Sequence, residues 1–373
     1  MLLVTESFLP QVNGVTNSVR RVLDHLQDRG HTASLIAPSG PDEYAGAPVT
    51  RVRTVAFPTY REFPIGLATK GKLRRHMVKF APDVVHLASP AGLGHQAGEA
   101  ARSLGIPVVA VYQTDLVGFA ERYPFPGGAA AMRKLTRMIH EPADRTLVPS
   151  SASHEQLDSL GIPRLARWAR GVDTDLFRPG RRTSELSLEI AAARDDVLIG
   201  YVGRLAAEKE LELLVQLAGI PRARLVIVGG GPEEQRLRKL LPTAHFLGVR
   251  HGEDLGRIVS SLDVFVHTGR TETFCQSAQE ALASGVPVVA PRAGGPIDLV
   301  RHGENGFLYE PGSGAELFGF VDLLVEQPGL RTRMGSAALA GVRGRSWEAV
   351  NDALIDHYRD VLGVGSSNVR RTA

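Results

Sequence analysis

The stretch from Val264 to Val289 constrains the fold more than any other. Val264-Phe265-Val266-His267 is an apolar run of strand length, and Gly269 with Thr271 to Thr273 makes a turn. Phe274, Ala278, Ala281 and Leu282 then recur at helical spacing until Gly285 and Pro287 stop the helix, and Val288-Val289 opens a second buried strand. A helix in this setting begins at the carboxyl edge of a parallel strand, where open α/β sheets bind ligands. Backbone N–H groups at Phe274, Cys275 and Gln276 near the helix start suit a phosphate. Glu272 precedes that start and Glu280 lies farther along. An ionised carboxylate accepts hydrogen bonds at both oxygens, which suits vicinal hydroxyls. One glutamate could hold a hexose and the other a ribose, with a diphosphate between them. The plainer alternative is one glutamate favoured by the helix dipole and one on a solvated face.

At 373 residues the chain exceeds what one core usually serves, so two domains are expected. A net charge of +3 gives no reason to expect nucleic-acid binding. The single cysteine, Cys275, rules out an internal disulfide and a cysteine zinc cluster, which fits a reducing compartment. The first residues, Met1-Leu2-Leu3-Val4-Thr5-Glu6, lack the basic start of a signal peptide, and no apolar run has the length of a membrane span. A cytoplasmic protein is expected, at most lying on a membrane.

The first half repeats the strand, loop and helix unit. Leu2 to Thr5 is a strand, Asn13-Gly14 a turn, and Val15, Val19, Val22, Leu23 and Leu26 one face of a helix. Strands follow at Ala33 to Ala37, Val49 to Val55, Asp83 to Ser89, Gly105 to Asp115 and Arg145 to Ser150. Their ends put His86, Gln113 and Asp115 on the edge of Asn13-Gly14, as candidates to touch an acceptor or sugar. The basic segment 70–79 carries Lys70, Lys72, Arg74, Arg75, His76 and Lys79 beside Leu73 and Met77. It could be a membrane-surface helix or simply a solvated one. Periodicity breaks at Trp168 to Arg170, which suggests a domain boundary, with a linker or exposed helix up to Asp196.

A second series opens at Asp196 to Arg204, and Leu205 to Leu211 leads into its helix. Arg204 and Lys209, at a strand end and a helix start, could neutralise a diphosphate or form surface ion pairs with Glu208 or Glu210. Gly229-Gly230-Gly231 is a strand-to-helix turn without the G-K-[ST] of a P-loop. The short strand Ala244 to Gly248 could border a nucleobase. Trp347 to Leu362 is a final amphipathic helix, and the tail 363–373 is expected to be disordered.

Several motifs in order resemble retaining glycosyltransferase family 4 of the GT-B fold. They are Gly171-Val172-Asp173 with Phe177 and Pro179, Gly203-Arg204-Leu205 with Glu208-Lys209, the triple glycine, and Glu272 with Glu280. Within it, Thr5 to Val19 and Tyr112-Gln113-Thr114-Asp115 with Gly118-Phe119-Ala120 look like actinobacterial GDP-mannose-dependent α-mannosyltransferases, with sulfoquinovosyltransferases as near relatives. The resemblance implies an α/β protein of two Rossmann-like doubly wound parallel-sheet domains facing a deep cleft. Residues 1–169 plus 347–373 would bind the acceptor, and 170–346 the nucleotide-sugar donor. It implies diphosphate binding by Arg204 and Lys209, ribose binding by Glu280, and the transferred sugar on Glu272 with amides of Thr273, Phe274 and Cys275. Gly14 would face the phosphate, and Asn13, His86, Gln113 and Asp115 would contact acceptor or sugar. Glu272, Asp115, Arg204 and Lys209 form the expected catalytic set.

Many family members carry histidine where this chain has Gln113, and glutamine cannot exchange a proton, so Asp115 gains interest. The first strand begins a few residues earlier in most relatives, which implies a truncated start. Asp173-Thr174-Asp175 has the form of a metal-binding D-x-D but lies in the interdomain signature, so neither an essential metal nor a cofactor is expected. The expected reaction is mannose transfer from GDP-mannose, with retention, to a glycolipid or phosphatidylinositol-type acceptor at the inner face of the plasma membrane. A UDP-sugar donor (glucosyl, glucuronosyl or sulfoquinovosyl) with a lipid or natural-product acceptor stays open, as does a non-catalytic sugar-nucleotide or lipid-binding protein. A sugar-nucleotide epimerase fits the two glutamates less well.

Overall fold

A computed structural model describes residues 1–11, 13–57, 60–118, 128–190, 193 and 196–363. Phe119 and Ala120 of the family motif and nearly all of the tail 363–373 lie outside them. The chain divides into two compact units, Met1–Arg170 with Trp347–Ala373, and Gly171–Ser346.

The first unit contains β1 (Leu2–Thr5), β2 (Ser34–Ala37), β3 (Glu43–Tyr44), β4 (Ala47–Arg51), β5 (Arg53–Phe57), β6 (Tyr60–Leu67), β7 (Val85–Ala88), β8 (Val108–Val111), β9 (Arg145–Val148) and β10 (Leu165–Arg167). Its main sheet runs β10-β9-β8-β7-β1-β2-β4-β3 and is parallel except for the β3–β4 pair. The order reverses between β1 and β7, the crevice where doubly wound sheets bind ligands. Alternation explains why these strands read as unbroken apolar runs. Leu3 packs with Val19, Leu23 and Val109 on one face, while Leu2 and Val4 pack with Leu73, Met77 and Leu87 on the other. Each fully buried Leu or Val contributes roughly 1.5–3 kcal/mol.

The last helix, Trp347–Val361, returns to this unit and seals the first face with Leu354, Ile355 and Tyr358. Trp168 Nε1 donates to Val350 O at 2.9 Å, and Asn351 Nδ2 to Arg21 O at 2.9 Å.

The second unit holds β11 (Val197–Val202), β12 (Ala223–Val228), β13 (His245–Gly248), β14 (Val264–Val266), β15 (Val288–Pro291) and β16 (Gly306–Tyr309). The order is β13-β12-β11-β14-β15-β16, all parallel, with the reversal between β11 and β14.

Three sequence expectations change. The apolar face of the basic segment is not available to a membrane, because in helix Lys70–Phe80 Leu73 and Met77 are buried in the sheet core. Its cations face outward, with Val78 65% exposed among them. The segment before Asp196 is docked: helix Ser184–Ile190 buries Leu186 and Ile190, and Arg182 binds Leu262 O and Asp263. The predicted helix after Leu205 is two 3-10 segments, Ala207–Lys209 and Leu211–Gly219, separated by Glu210 at φ 50°, a left-handed residue that an α-helix cannot include.

Candidate functional site

In the second unit the loop after β14 lies beside the loop after β11. Lys209 Nζ donates to Glu272 Oε1 at 2.6 Å, and both side chains stay about one-fifth exposed (21% and 20%). Thr268 Oγ1 donates to Lys209 O at 2.5 Å, fastening the two loops together. Behind Glu272, Gly295 N donates to Glu272 O at 2.7 Å. A β-carbon on Gly294 would lie 2.5 Å from that same oxygen, and one on Gly295 would lie 2.2 Å from Phe274 O, so glycine is required at both. Helix Gln276–Ala283 then begins two residues after Phe274, with Cys275 ahead of it at φ 74°.

The triple glycine is a support for the cationic turn. A β-carbon on Gly229 would lie 1.8 Å from Gly203 O, and one on Gly231 would lie 2.2 Å from Leu205 O. Leu205 N donates to Gly230 O and Glu233 N to Leu205 O, both at 2.9 Å. The backbone on either side of half-buried Arg204 is thereby fixed, and Tyr201 Oη adds a bond to Arg204 O at 3.1 Å.

Charge in this cluster is balanced locally. Burial by itself would raise the Glu272 pKa, but Lys209 and then His267 overcome that and hold the carboxyl well below its usual range. Burial would lower the Lys209 pKa, yet Glu272 raises it on balance, so the ammonium persists. Glu280, in the helix, is pushed up to about 7, first by burial and further by Asp173, against a bond from Gln276. Asp173 Oδ1 accepts from Leu176 N at 3.0 Å and Asp175 N at 3.2 Å, which is the geometry of an Asx turn.

His267 was not singled out by the sequence. It is 2% exposed, its Nε2 lies 3.2 Å from Glu272 Oε1, and its ring stacks on Tyr201 at 6.1 Å. The only hint was a polar residue closing an apolar strand.

In the first unit the candidates mostly shape loops. Asn13 caps helix Gly14–Asp28: its Oδ1 accepts from Thr16 N at 2.9 Å and its Nδ2 donates to Ser7 Oγ at 2.8 Å, so both polar atoms help to hold the turn. Asp115 Oδ1 accepts from Tyr112 Oη, Gln156 Nε2 and Gly118 N at 3.0, 2.9 and 2.9 Å, so this oxygen anchors the loop after β8. His86 is a core residue: it is 1% exposed, its Nδ1 meets Tyr358 Oη at 2.6 Å, and burial drives its pKa down to about 3. Gln113 is different. Its Oε1 accepts from Arg170 Nη2 at 2.7 Å, while Arg170 Nη1 donates to Gly14 O at 2.7 Å. Arg170 ties the start of the first helix to the loop after β8, a role hidden in the sequence because it lies at the unit boundary. The nearest atom to a β-carbon on Gly14 would be 3.8 Å away, so protein packing does not demand glycine there.

Comparison with known proteins gives these two units a class. The sequence model described as Glycosyltransferase Family 4 matches residues 12–176, and that described as Glycosyl transferases group 1 matches residues 184–340. A GDP-mannose-dependent α-mannosyltransferase of Mycobacterium tuberculosis is 48% identical, covering 97% of this chain and 96% of its own. One of Corynebacterium glutamicum is 44% identical (97% and 89%), and a sulfoquinovosyl transferase of Arabidopsis thaliana is 32% identical (93% and 71%). Among solved structures, sucrose-phosphate synthase of Thermosynechococcus elongatus superposes with a TM-score of 0.80 at 20% identity, covering 98% and 100%. Anabaena HepE with UDP-glucose gives 0.77 at 21%, covering 96% and 100%. The architecture is the GT-B fold of glycosyltransferases. The chain belongs to glycosyltransferase family 4.

Proposed function

We infer that the chain transfers mannose from GDP-mannose to an acceptor hydroxyl with retention of configuration. The carrying observation is the Lys209–Glu272 pair at 2.6 Å on the carboxyl side of the second sheet, beside the glycine-braced turn of Arg204. Three near full-length relatives named as GDP-mannose-dependent α-mannosyltransferases support the choice of sugar and nucleotide.

Arg204 and Lys209 neutralise the departing diphosphate, the step at which negative charge grows. Glu272, kept ionised by Lys209, accepts hydrogen bonds from the sugar hydroxyls, and Glu280 bonds the ribose. Gly14 gives the phosphate a close backbone approach, and Gln113 bonds a sugar hydroxyl. In a front-face displacement the acceptor oxygen bonds the anomeric carbon as the bond to the diphosphate breaks, and the acceptor proton passes to the diphosphate oxygen. No protein nucleophile or metal enters.

A lipid acceptor accords with the outward cations Lys72, Arg74, Arg75 and Lys79 of helix Lys70–Phe80, next to exposed Val78 and Leu67, which suit an anionic surface. Among the described residues no helix is long and apolar enough to cross a membrane, so contact would be peripheral.

The test is incubation with radiolabelled GDP-mannose and a membrane lipid extract, with and without chelator, against UDP-glucose. Label in a lipid product from GDP-mannose alone is expected. Label from UDP-glucose alone, or dependence on added metal, overturns the proposal.

A further inference from the structure

His267, Glu272 and Cys275 each offer a ligand atom, and these atoms all lie within 4.8 Å of one another. His267 and Cys275 are 2% and 4% exposed, and the Nε2 to Oε1 edge measures 3.2 Å. A tetrahedral zinc ion with bonds of about 2.0–2.3 Å needs ligand-to-ligand edges of about 3.3–3.6 Å, so small side-chain shifts suffice. Backbone conformation brings the thiol there: Cys275 adopts φ 74°, which L-residues with a β-carbon rarely take, and this aims its side chain at the strand-end histidine rather than outward. Neither ring nitrogen of His267 has a well-aligned hydrogen-bond partner, although both are buried.

The geometry points to an inhibitory site for a thiophilic divalent cation, Zn2+ or Cd2+, held by Cys275 Sγ, His267 Nε2 and Glu272 Oε1. The ligand set of one thiol, one imidazole and one carboxylate selects against Mg2+ and Mn2+, which favour oxygen. Binding displaces the thiol proton to solvent and takes the Glu272 oxygen that Lys209 holds at 2.6 Å. The ammonium is a competitor, so the site is weaker than a structural zinc site. The ion enters from the Glu272 side, since that carboxylate is 20% exposed. Resting on the donor reading above, occupancy withdraws Glu272 from the sugar, and a chelator raises transfer or leaves it unchanged.

The full chain, freed of metal, is titrated with CdCl2 while the ultraviolet thiolate-to-cadmium charge-transfer band is followed. Saturation at one Cd2+ per chain is expected, with release of one proton and no displacement by Mg2+. His267→Asn and Glu272→Gln should each weaken the midpoint by about tenfold or more. In case a variant fails to fold, the Tm rise that Zn2+ gives the unaltered chain provides a second readout, expected to disappear in Cys275→Ser. No band, or a midpoint indifferent to both variants, means a lone thiol and overturns the site. Zn2+ inhibition competitive with GDP-mannose is expected in the transfer assay. Cadmium binding with uninhibited transfer removes the inhibitory role and leaves the metal site, whereas absence of transfer in the metal-free enzyme removes the donor reading alone.

Discussion

Glu272 has two nitrogen groups against one oxygen, the Lys209 ammonium at 2.6 Å and the His267 ring at 3.2 Å. Removing the amine leaves a largely buried carboxylate with reduced compensation. Lys209→Met should therefore lower kcat/KM by at least about a hundredfold and cost roughly 1–3 kcal/mol of stability, less than a fully buried pair because both side chains retain some exposure. Kinetics alongside urea unfolding checks both; retention of activity would remove Lys209 from the mechanism. Glu280 carries the opposite electrostatics. Burial pushes its pKa up from the ordinary 4.5 to about 7, so between these pH values the folded state holds a proton that the unfolded state has lost. Stability should accordingly fall as pH rises from about 4.5 to 7, and Glu280→Gln should flatten that slope in urea titrations across the window. A slope unchanged in the variant would assign the dependence to other groups. Glu272 and Glu280 drew notice by their places before and within an expected helix, and the family resemblance supplied their roles, whereas His267 was not singled out, since an apolar run shows that a strand is buried and not which loop its last residue meets.

Among elements, the strand-end loops of the second unit depend on glycine where backbone meets backbone. Gly229→Ala would set a β-carbon 1.8 Å from Gly203 O at a φ of 138°, and should cost about 3 kcal/mol or more while displacing Arg204. Gly219→Ala, with no atom within 4 Å and no positive φ, should change stability by less than about 1 kcal/mol, and thermal unfolding of the pair distinguishes them. The sequence marked the triple glycine as a turn, but the neighbour that makes it obligatory belongs to another strand. The basic helix Lys70–Phe80 teaches the same limit: periodicity identified an apolar face, and the sheet, rather than a lipid surface, covers it. The β5–β6 hairpin was read only in part: the expected strand Val49 to Val55 runs from β4 into β5 as one piece, and β6 was not separated from the basic segment that follows it. In the first unit Arg170 links two loops through Gln113 and Gly14. If it acts through Gln113, Arg170→Met and Gln113→Ala should each reduce kcat, and the double variant should be no worse than either single one, beyond about 0.5 kcal/mol. Additive losses would mean independent roles.

At the scale of the whole molecule, the chain completes its first unit only with its last helix. Leu354, Ile355 and Tyr358 belong to the same core as Leu3, Val19 and Val109, and Tyr358 also bonds the buried His86. The second unit, Gly171–Ser346, has a core of its own built from Val197, Ile199, Ile227, Val264 and Val266. The amphipathic pattern from Trp347 onward revealed the helix, and the family resemblance, not its spacing, assigned it to the earlier unit. A chain ending at Ser346 would leave one face of the first sheet open while keeping every residue of the Lys209–Glu272 site. Calorimetry of that truncated chain should therefore lose the first unit's cooperative transition and keep one transition that GDP raises by mass action and UDP does not. Equal shifts by both nucleotides would leave guanine selectivity outside residues 171–346, and loss of both transitions would mean that the second unit does not fold without the first.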